Sequence, residues 1–172
     1  MANVFYPDAL KDSIHQIDFQ KLYDQGYRGI LFDIDNTLVE HGAPATPEII
    51  QFFENLRRIG LKSCVISNNK EPRVKSFADA VGCEYVFKAN KPMKRGYLKG
   101  MEYMETTVWN TVFVGDQLFT DVWGAKRVGI VSILTKPINP KEEIQIVLKR
   151  FLEYPILLCY QRYRKRHKET LL

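Results

Sequence analysis

Gly29-Ile30-Leu31-Phe32-Asp33-Ile34-Asp35-Asn36-Thr37-Leu38-Val39 is the stretch on which the reading of this chain turns. A short apolar run leads directly into two aspartates. A run of that length suits a strand buried on both faces, as in a parallel sheet covered by helices. The acids after it then stand at the carboxyl end of the strand, where open α/β sheets bind their ligands.

Outward from this stretch the pattern repeats. Ser63–Ile66, Tyr85–Phe87, Thr111–Val114 and Ile130–Leu134 read as further short strands. Between them, Ile49, Phe52, Phe53 and Leu56 recur at helical spacing, as do Val74, Phe77, Ala78 and Val81, and then Val122, Ala125 and Val128. Thr46-Pro47-Glu48 has the form of an N-cap, a first-turn proline and a first-turn acid; Gly60 ends that helix, and Gly82 ends the one that starts near Pro72. Strands alternating with helices predict an α/β fold, a Rossmann-like three-layer sandwich around a mostly parallel sheet with right-handed crossovers. Residues 1–172 read as a single domain, with no repeat and no Gly/Ser linker. Near the end, Pro137 and Pro140 break the chain ahead of an amphipathic stretch carrying Ile144, Val147, Leu148, Phe151 and Leu152. Pro155 then sets off a last basic helix or tail from about residue 155.

Composition bounds the function. A chain of 172 residues with 45% hydrophobic and 26% charged residues is that of an ordinary globular protein. Three cysteines, Cys64, Cys83 and Cys159, are an odd number without close pairing, which suits packing residues in a reducing compartment. Met1 to Lys11 lacks the basic start and apolar core of a signal peptide, and no run approaches the ~18 apolar residues of a membrane span. A cytoplasmic location, with or without peripheral membrane contact, is expected. The net charge of +5 is concentrated in Arg162, Arg164, Lys165, Arg166 and Lys168. Interleaved with Ile156, Leu157, Cys159, Tyr160 and Tyr163, these predict either a helix that meets an anionic membrane or a stripe that packs on the protein and leaves its charges in water. No nucleic-acid partner is predicted.

The strand ends collect three kinds of polar group. Asp33 and Asp35 follow the first strand, Ser67 and Asn68 the second, Lys91 lies beyond the third, and Asp116 and Asp121 follow the fourth. Carboxylates converging in an apolar setting call for a cation, and hard oxygen donors with room for water suit Mg2+. Such a cation also brings a phosphate close to Asp33, which points to phosphoryl transfer, a reaction governed by positioning and charge neutralisation. Asp33 suits the nucleophile, Asp35 the acid and base, Ser67 a donor to a phosphoryl oxygen, and Lys91 a point charge opposite the metal. Backbone amides near Ile34, Asn36 and Asn68 complete an anion cradle. Plainer readings stand beside these. An aspartate pair after a strand also forms caps and turns, Asp121 equally suits the N-cap of the next helix, Asn36 and Asn69 suit turns, and His41 suits an exposed loop.

Asp33-Ile34-Asp35-Asn36-Thr37-Leu38-Val39 resembles motif I of the haloacid dehalogenase (HAD) superfamily, D-x-D-x-T-x-V. Ser67-Asn68-Asn69 resembles motif II, Lys91-Pro92 motif III, and Gly115-Asp116-Gln117-Leu118-Phe119-Thr120-Asp121 motif IV, in the expected order. The resemblance implies a Mg2+ ion held by the Asp33 carboxylate, the Asp35 backbone carbonyl and Asp116, with Asp121 in support. It also implies phosphatase chemistry through an aspartyl phosphate, since a second aspartate stands in motif I. Lys88 and Lys94 lie near Lys91 and remain alternatives for the phosphate lysine. The segments between motifs leave no room for a cap domain, as in the capless subclass III. Within it, Pro7, the helix around Phe19 to Tyr23 and the D-I-D-N-T-L run are similar to the YqeG family, itself similar to mitochondrial-type phosphatidylglycerophosphate phosphatases. That resemblance implies a lipid phosphate monoester. A soluble phosphatase of a small metabolite or protein phosphate, a phosphotransferase and a non-catalytic binding protein on the same fold are the alternatives.

Overall fold

The computed structural model describes residues 3–139 and 144–167. Six parallel strands form one sheet in the order β1-β6-β5-β2-β3-β4, with β1 at Ala9–Lys11, β2 at Gly29–Phe32, β3 at Lys62–Ile66, β4 at Glu84–Val86, β5 at Thr111–Gly115 and β6 at Val131–Thr135. The predicted α/β class and parallel sheet are observed. The edge strand β1 is an addition: three residues are too few to show a period, and the strand exists through its pairing with β6.

Successive side chains of β2 separate into two layers, as strand geometry requires. Ile30 and Phe32 join one core with Val65, Val112 and Val114, covered by α1 (Phe19–Asp24), α2 (Pro47–Ile59) and α3 (Glu71–Val81). Leu31 joins the other with Cys64, Ile66 and Phe113, covered by α4 (Lys94–Met104) and α5 (Trp123–Val128). Thr46 caps α2 by accepting from the Ile49 amide at 3.3 Å, and Gly60 ends it at φ 99°. Cys64, within β3, is buried in the core beside Leu31, and the half-buried Cys83 packs on the other core, whereas Cys159 is exposed, so the packing reading does not extend to it.

Two elements depart from the sequence reading. No helix was expected between β4 and β5, yet α4 is there, with Tyr97, Met101 and Met104 buried. Gly96 and Gly100, which lower helix propensity, are what allow it to lie against the sheet: a Cβ at Gly100 would stand 2.6 Å from Leu31 Cδ2. Secondly, Pro155 does not end a helix. It sits inside α6, which runs unbroken from Ile144–His167. A mid-helix proline loses one backbone hydrogen bond. Contacts on both sides of it hold the helix together: Glu153 accepts from the Leu118 and Phe119 amides, while Ile156 and Leu157 pack near Leu118, Val122 and Leu134. Tyr160 is buried, its ring 5.3 Å from that of Tyr6. Pro140, Lys168 and the side chain of Arg166 lie outside the described residues.

The inward stripe of α6 is therefore Arg150, Glu153, Ile156, Leu157 and Tyr160. Val147, Leu148, Phe151 and Leu152, side chains of the expected amphipathic stretch, are exposed, Phe151 to 79%, and so is Tyr154. Among the described residues no helix is long and apolar enough to cross a membrane. Among the described residues no cap unit is inserted between the strands.

Candidate active site

From β2 the chain crosses to β3 and β4 on one side and then returns from β4 to β5 on the other, so the carboxyl ends of β2 and β5 flank the switch point of the sheet. Asp33 follows β2 and Asp116 follows β5. One carboxylate oxygen each from Asp33, Asp116 and Asp121 lies within 4.8 Å of the others, all three buried.

Lys91 enters this cluster from the loop after β4. Its Nζ stands 2.5 Å from Asp33 Oδ1 and 2.8 Å from Asp121 Oδ1. Lys88 and Lys94 are exposed, so among the three lysines it is Lys91 that reaches the carboxylates. Burial opposes its charge, but Asp121 and Asp33 outweigh that and hold the ammonium above its ordinary value. Burial pushes the Asp33 carboxyl up to about 6; Lys91 works against this, and Asp121 adds to it. Asp116 is raised well above the usual carboxylate range, first by burial and then by Asp33 and Asp121, with Arg150 opposing.

Asp121 is not an N-cap. Its Oδ2 accepts from the amides of Asp116 and Gln117, at 3.1 and 3.0 Å, and so closes the loop that carries Asp116. Gly115 makes room for it, since a Cβ there would meet Asp121 Oδ2 at 2.5 Å. Thr37, quoted in motif I but given no role from sequence, places its hydroxyl 3.2 Å from Asp116 Oδ1 and 3.4 Å from Asp33 Oδ2.

Asp35 is oriented differently. Its carboxylate accepts from the Gly42 amide at 2.8 Å, Asn69 Nδ2 at 2.7 Å and Arg73 Nη2 at 3.1 Å, and it stands outside the buried cluster. Asn69 thus fixes Asp35, a role the turn reading missed. Ser67 is buried and accepts from the Asn69 amide. The Asn68 side chain pairs with the backbone of Lys91, accepting from its amide at 2.7 Å and donating to its carbonyl at 3.4 Å, so it holds the lysine loop. The Asn36 amide donates to Val39 within a turn that needs φ 65° at Asn36, which removes it from the expected anion cradle. Asp33, Asp35, Asn36, His41, Ser67 and Lys91 share a shallow cavity of about 170 Å³, with His41 exposed at its rim. A larger cavity of about 730 Å³ lies at the opposite, amino-terminal edge of the sheet, where Arg57 is bound to the Val81 and Gly82 carbonyls and Lys62 to Glu105.

The donor set fits a divalent cation. Three buried carboxylates share two cationic side chains, Lys91 and Arg150, and all their free ligand atoms are hard oxygens.

A family model described as haloacid dehalogenase-like hydrolase matches residues 41–129, just over half of the chain, beginning after Asp33–Val39. The chain is 38% identical over 159 residues, 92% of its own length and 92% of the other's, to "Probable phosphatase YqeG" of Bacillus subtilis (strain 168). The chain belongs to the haloacid dehalogenase-like hydrolases. This HAD-like hydrolase is also 28% identical over 162 residues to "Phosphatidylglycerophosphate phosphatase 1, chloroplastic/mitochondrial" of Arabidopsis thaliana, spanning 87% of this chain but only 46% of that protein. Its fold resembles the cobalt-bound deoxy-D-mannose-octulosonate 8-phosphate phosphatase YrbI of Haemophilus influenzae, with a TM-score of 0.52 at 12% identity, covering 68% of this chain and 81% of that one.

Proposed function

We propose that this HAD-like hydrolase is a Mg2+-dependent phosphomonoesterase in which Asp33 takes up the phosphoryl group. The observation that carries the reading is the Asp33 carboxylate, which faces a solvent-open cavity while Lys91 and two further carboxylates stand against it. Mg2+ bound by Asp33, the Asp35 carbonyl and Asp116 supplies charge neutralisation for the incoming phosphate dianion.

A carboxylate oxygen of Asp33 bonds to phosphorus as the ester P–O bond breaks, and the departing oxygen takes a proton from Asp35. Water then attacks the phosphoryl group on Asp33. Asp35 accepts the proton of that water, and Asp33 and inorganic phosphate are released. Ser67 donates to a phosphoryl oxygen, and Lys91 balances its charge. Gly42 and Arg73 donate to Asp35 Oδ1 and only Asn69 to Oδ2, which leaves one lone pair of Oδ2 to carry the proton.

The substrate class we favour is a lipid phosphate monoester, phosphatidylglycerophosphate being the leading case. Its support is the partial similarity to the Arabidopsis enzyme and the exposed row Leu148, Phe151, Leu152 and Tyr154, on the helix whose inner face touches the Asp116 loop. Exposed Arg162 and Lys165 further along α6 suit an anionic membrane surface. A phosphate-release screen of phospholipid monophosphates, nucleotides, sugar phosphates and phosphopeptides, with and without Mg2+, tests both parts. Asp33→Asn should abolish release, and preference for a water-soluble substrate would remove the lipid assignment.

A further inference from the structure

Two charged residues of α6 reach the site from outside the motifs, and outside the span matched by the family model. The Asp116 side chain is fully buried, and its two oxygens are held from different directions. Oδ1 accepts from Thr37 on the Asp33 side, and Oδ2 pairs with Arg150 Nη2. Arg150 Nη1 donates to the backbone carbonyl of the same aspartate and, at 3.2 Å, to Glu153 Oε2. One turn along α6, buried Glu153 accepts through Oε1 from the amides of Leu118 at 2.8 Å and Phe119 at 3.3 Å.

A planar guanidinium that grips a carboxylate oxygen and the carbonyl of one residue fixes that residue's rotation as well as its charge. Glu153 meanwhile fixes the backbone that follows it. A polar pair on the inward face of an otherwise apolar stripe is costly unless each group is engaged, and here each is engaged by the Asp116 loop.

We infer that Arg150 and Glu153 are positioning residues that clamp Asp116 and its loop from behind, turning Oδ1 toward Asp33 and the cation site. The inference rests on the metal reading proposed above. A competing role has the opposite sign: Arg150 as a resident cation that the metal must displace from Asp116. Its second bond, to the backbone carbonyl of Asp116, argues against that, because a cation displaced from the carboxylate would have to give up the carbonyl as well.

The experiment is calorimetric titration of the metal-free, full-length protein with Mg2+, alongside amide hydrogen exchange at Leu118 and Phe119. Loss of an outer partner of a metal ligand typically weakens binding by about 10–100-fold, and R150M should fall in that range. R150K, which keeps the charge without the fork, should lie between it and the parent, and carries the test if R150M does not fold. E153Q should bind Mg2+ more weakly by a smaller factor and should exchange faster at both amides. Unchanged Mg2+ binding by R150M and R150K would overturn the clamp, and tighter binding would overturn it in favour of the displaced cation. If the parent protein takes up no Mg2+, the metal reading itself fails. Exchange then decides the clamp: faster exchange at Leu118 and Phe119 in R150M supports it, and unchanged exchange overturns it.

Discussion

Lys91 Nζ lies 2.5 Å from Asp33 Oδ1, and the two ends of this buried pair are expected to respond in opposite ways to neutralisation. The Asp33 carboxyl, normally at 3.8, is pushed up to about 6, so the fold disfavours its ionised form by about 3 kcal/mol. The folded protein holds that proton where the unfolded chain has lost it. Stability therefore falls as pH rises from about 4 to about 6 and stays lower above that. Asp33→Asn is expected to melt a few degrees above the parent in metal-free buffer at neutral pH, with the gap closing below about pH 4, while phosphate release is abolished. Thermal melts across this pH range check the sign, and a gap that widened in acid would contradict it.

Removing the other end leaves Asp33 and Asp121 without their ammonium. Lys91→Met is expected to destabilise the protein by roughly 3–5 kcal/mol, the usual consequence of stranding a buried charge. Denaturant titration gives the number. A loss below about 1 kcal/mol would mean that water or another cation compensates the carboxylates.

Much of this site was legible because its chemistry is carried by residues at strand ends. Gly29–Phe32 is buried throughout, and the acids after it had to emerge at the carboxyl edge. What escaped has identifiable causes. Helix α4 was hidden by Gly96 and Gly100, which count against a helix in propensity and yet permit close packing. In α6 the phase inferred from Val147, Leu148, Phe151 and Leu152 was misleading, because the loop of Asp116 required Arg150 and Glu153 on the inward face. The choice among Lys88, Lys91 and Lys94 turned on left-handed backbone at Lys88 and Asn90, which no periodicity reveals.

Metal uptake should be linked to protons. Ligand carboxylates must be ionised to bind, and burial raises both Asp33 and Asp116. Mg2+ affinity is expected to weaken as pH drops through about 6, with more protons released per ion at that pH than at about pH 8. Calorimetry in buffers of different ionisation enthalpy counts those protons. Equal release at the two pH values would show that burial does not hold Asp33 protonated.

Gly115 is expected to be intolerant of even a methyl group. Its Cβ would stand 2.5 Å from Asp121 Oδ2 and 2.7 Å from Phe113 Cε1. Overpacking of this kind typically costs about 1–3 kcal/mol, and here relief requires Asp121 to release the amides of Asp116 and Gln117. Gly115→Ala should thus lose stability and at least tenfold in kcat together, in line with about 1.4 kcal/mol per factor of ten. A variant that lost stability but kept kcat would separate the closure of this loop from catalysis.

The exposed row on α6 makes the last expectation. Ile156, Leu157 and Tyr160 are committed to the protein, so the side chains available to a bilayer are Leu148, Phe151, Leu152 and Tyr154, earlier in the helix than the basic segment. Burying a large apolar side chain contributes about 1.5–3 kcal/mol, so Leu148→Ser with Phe151→Ser should weaken vesicle binding by roughly tenfold or more. Each basic residue adds only about 1 kcal/mol and is screened by salt, so Arg162→Gln with Lys165→Gln should matter at low salt and little at high salt. Co-sedimentation with phosphatidylglycerol-containing and phosphatidylcholine-only vesicles separates the two contributions. Leu148 and Phe151 face solvent, on the side of α6 away from Arg150 and Glu153, so turnover of a water-soluble aryl phosphate should be unchanged. Hydrolysis of a vesicle-borne phosphate monoester should fall with binding. Parent protein that failed to sediment with either vesicle would leave the row to a protein partner and would direct the substrate search to soluble phosphates.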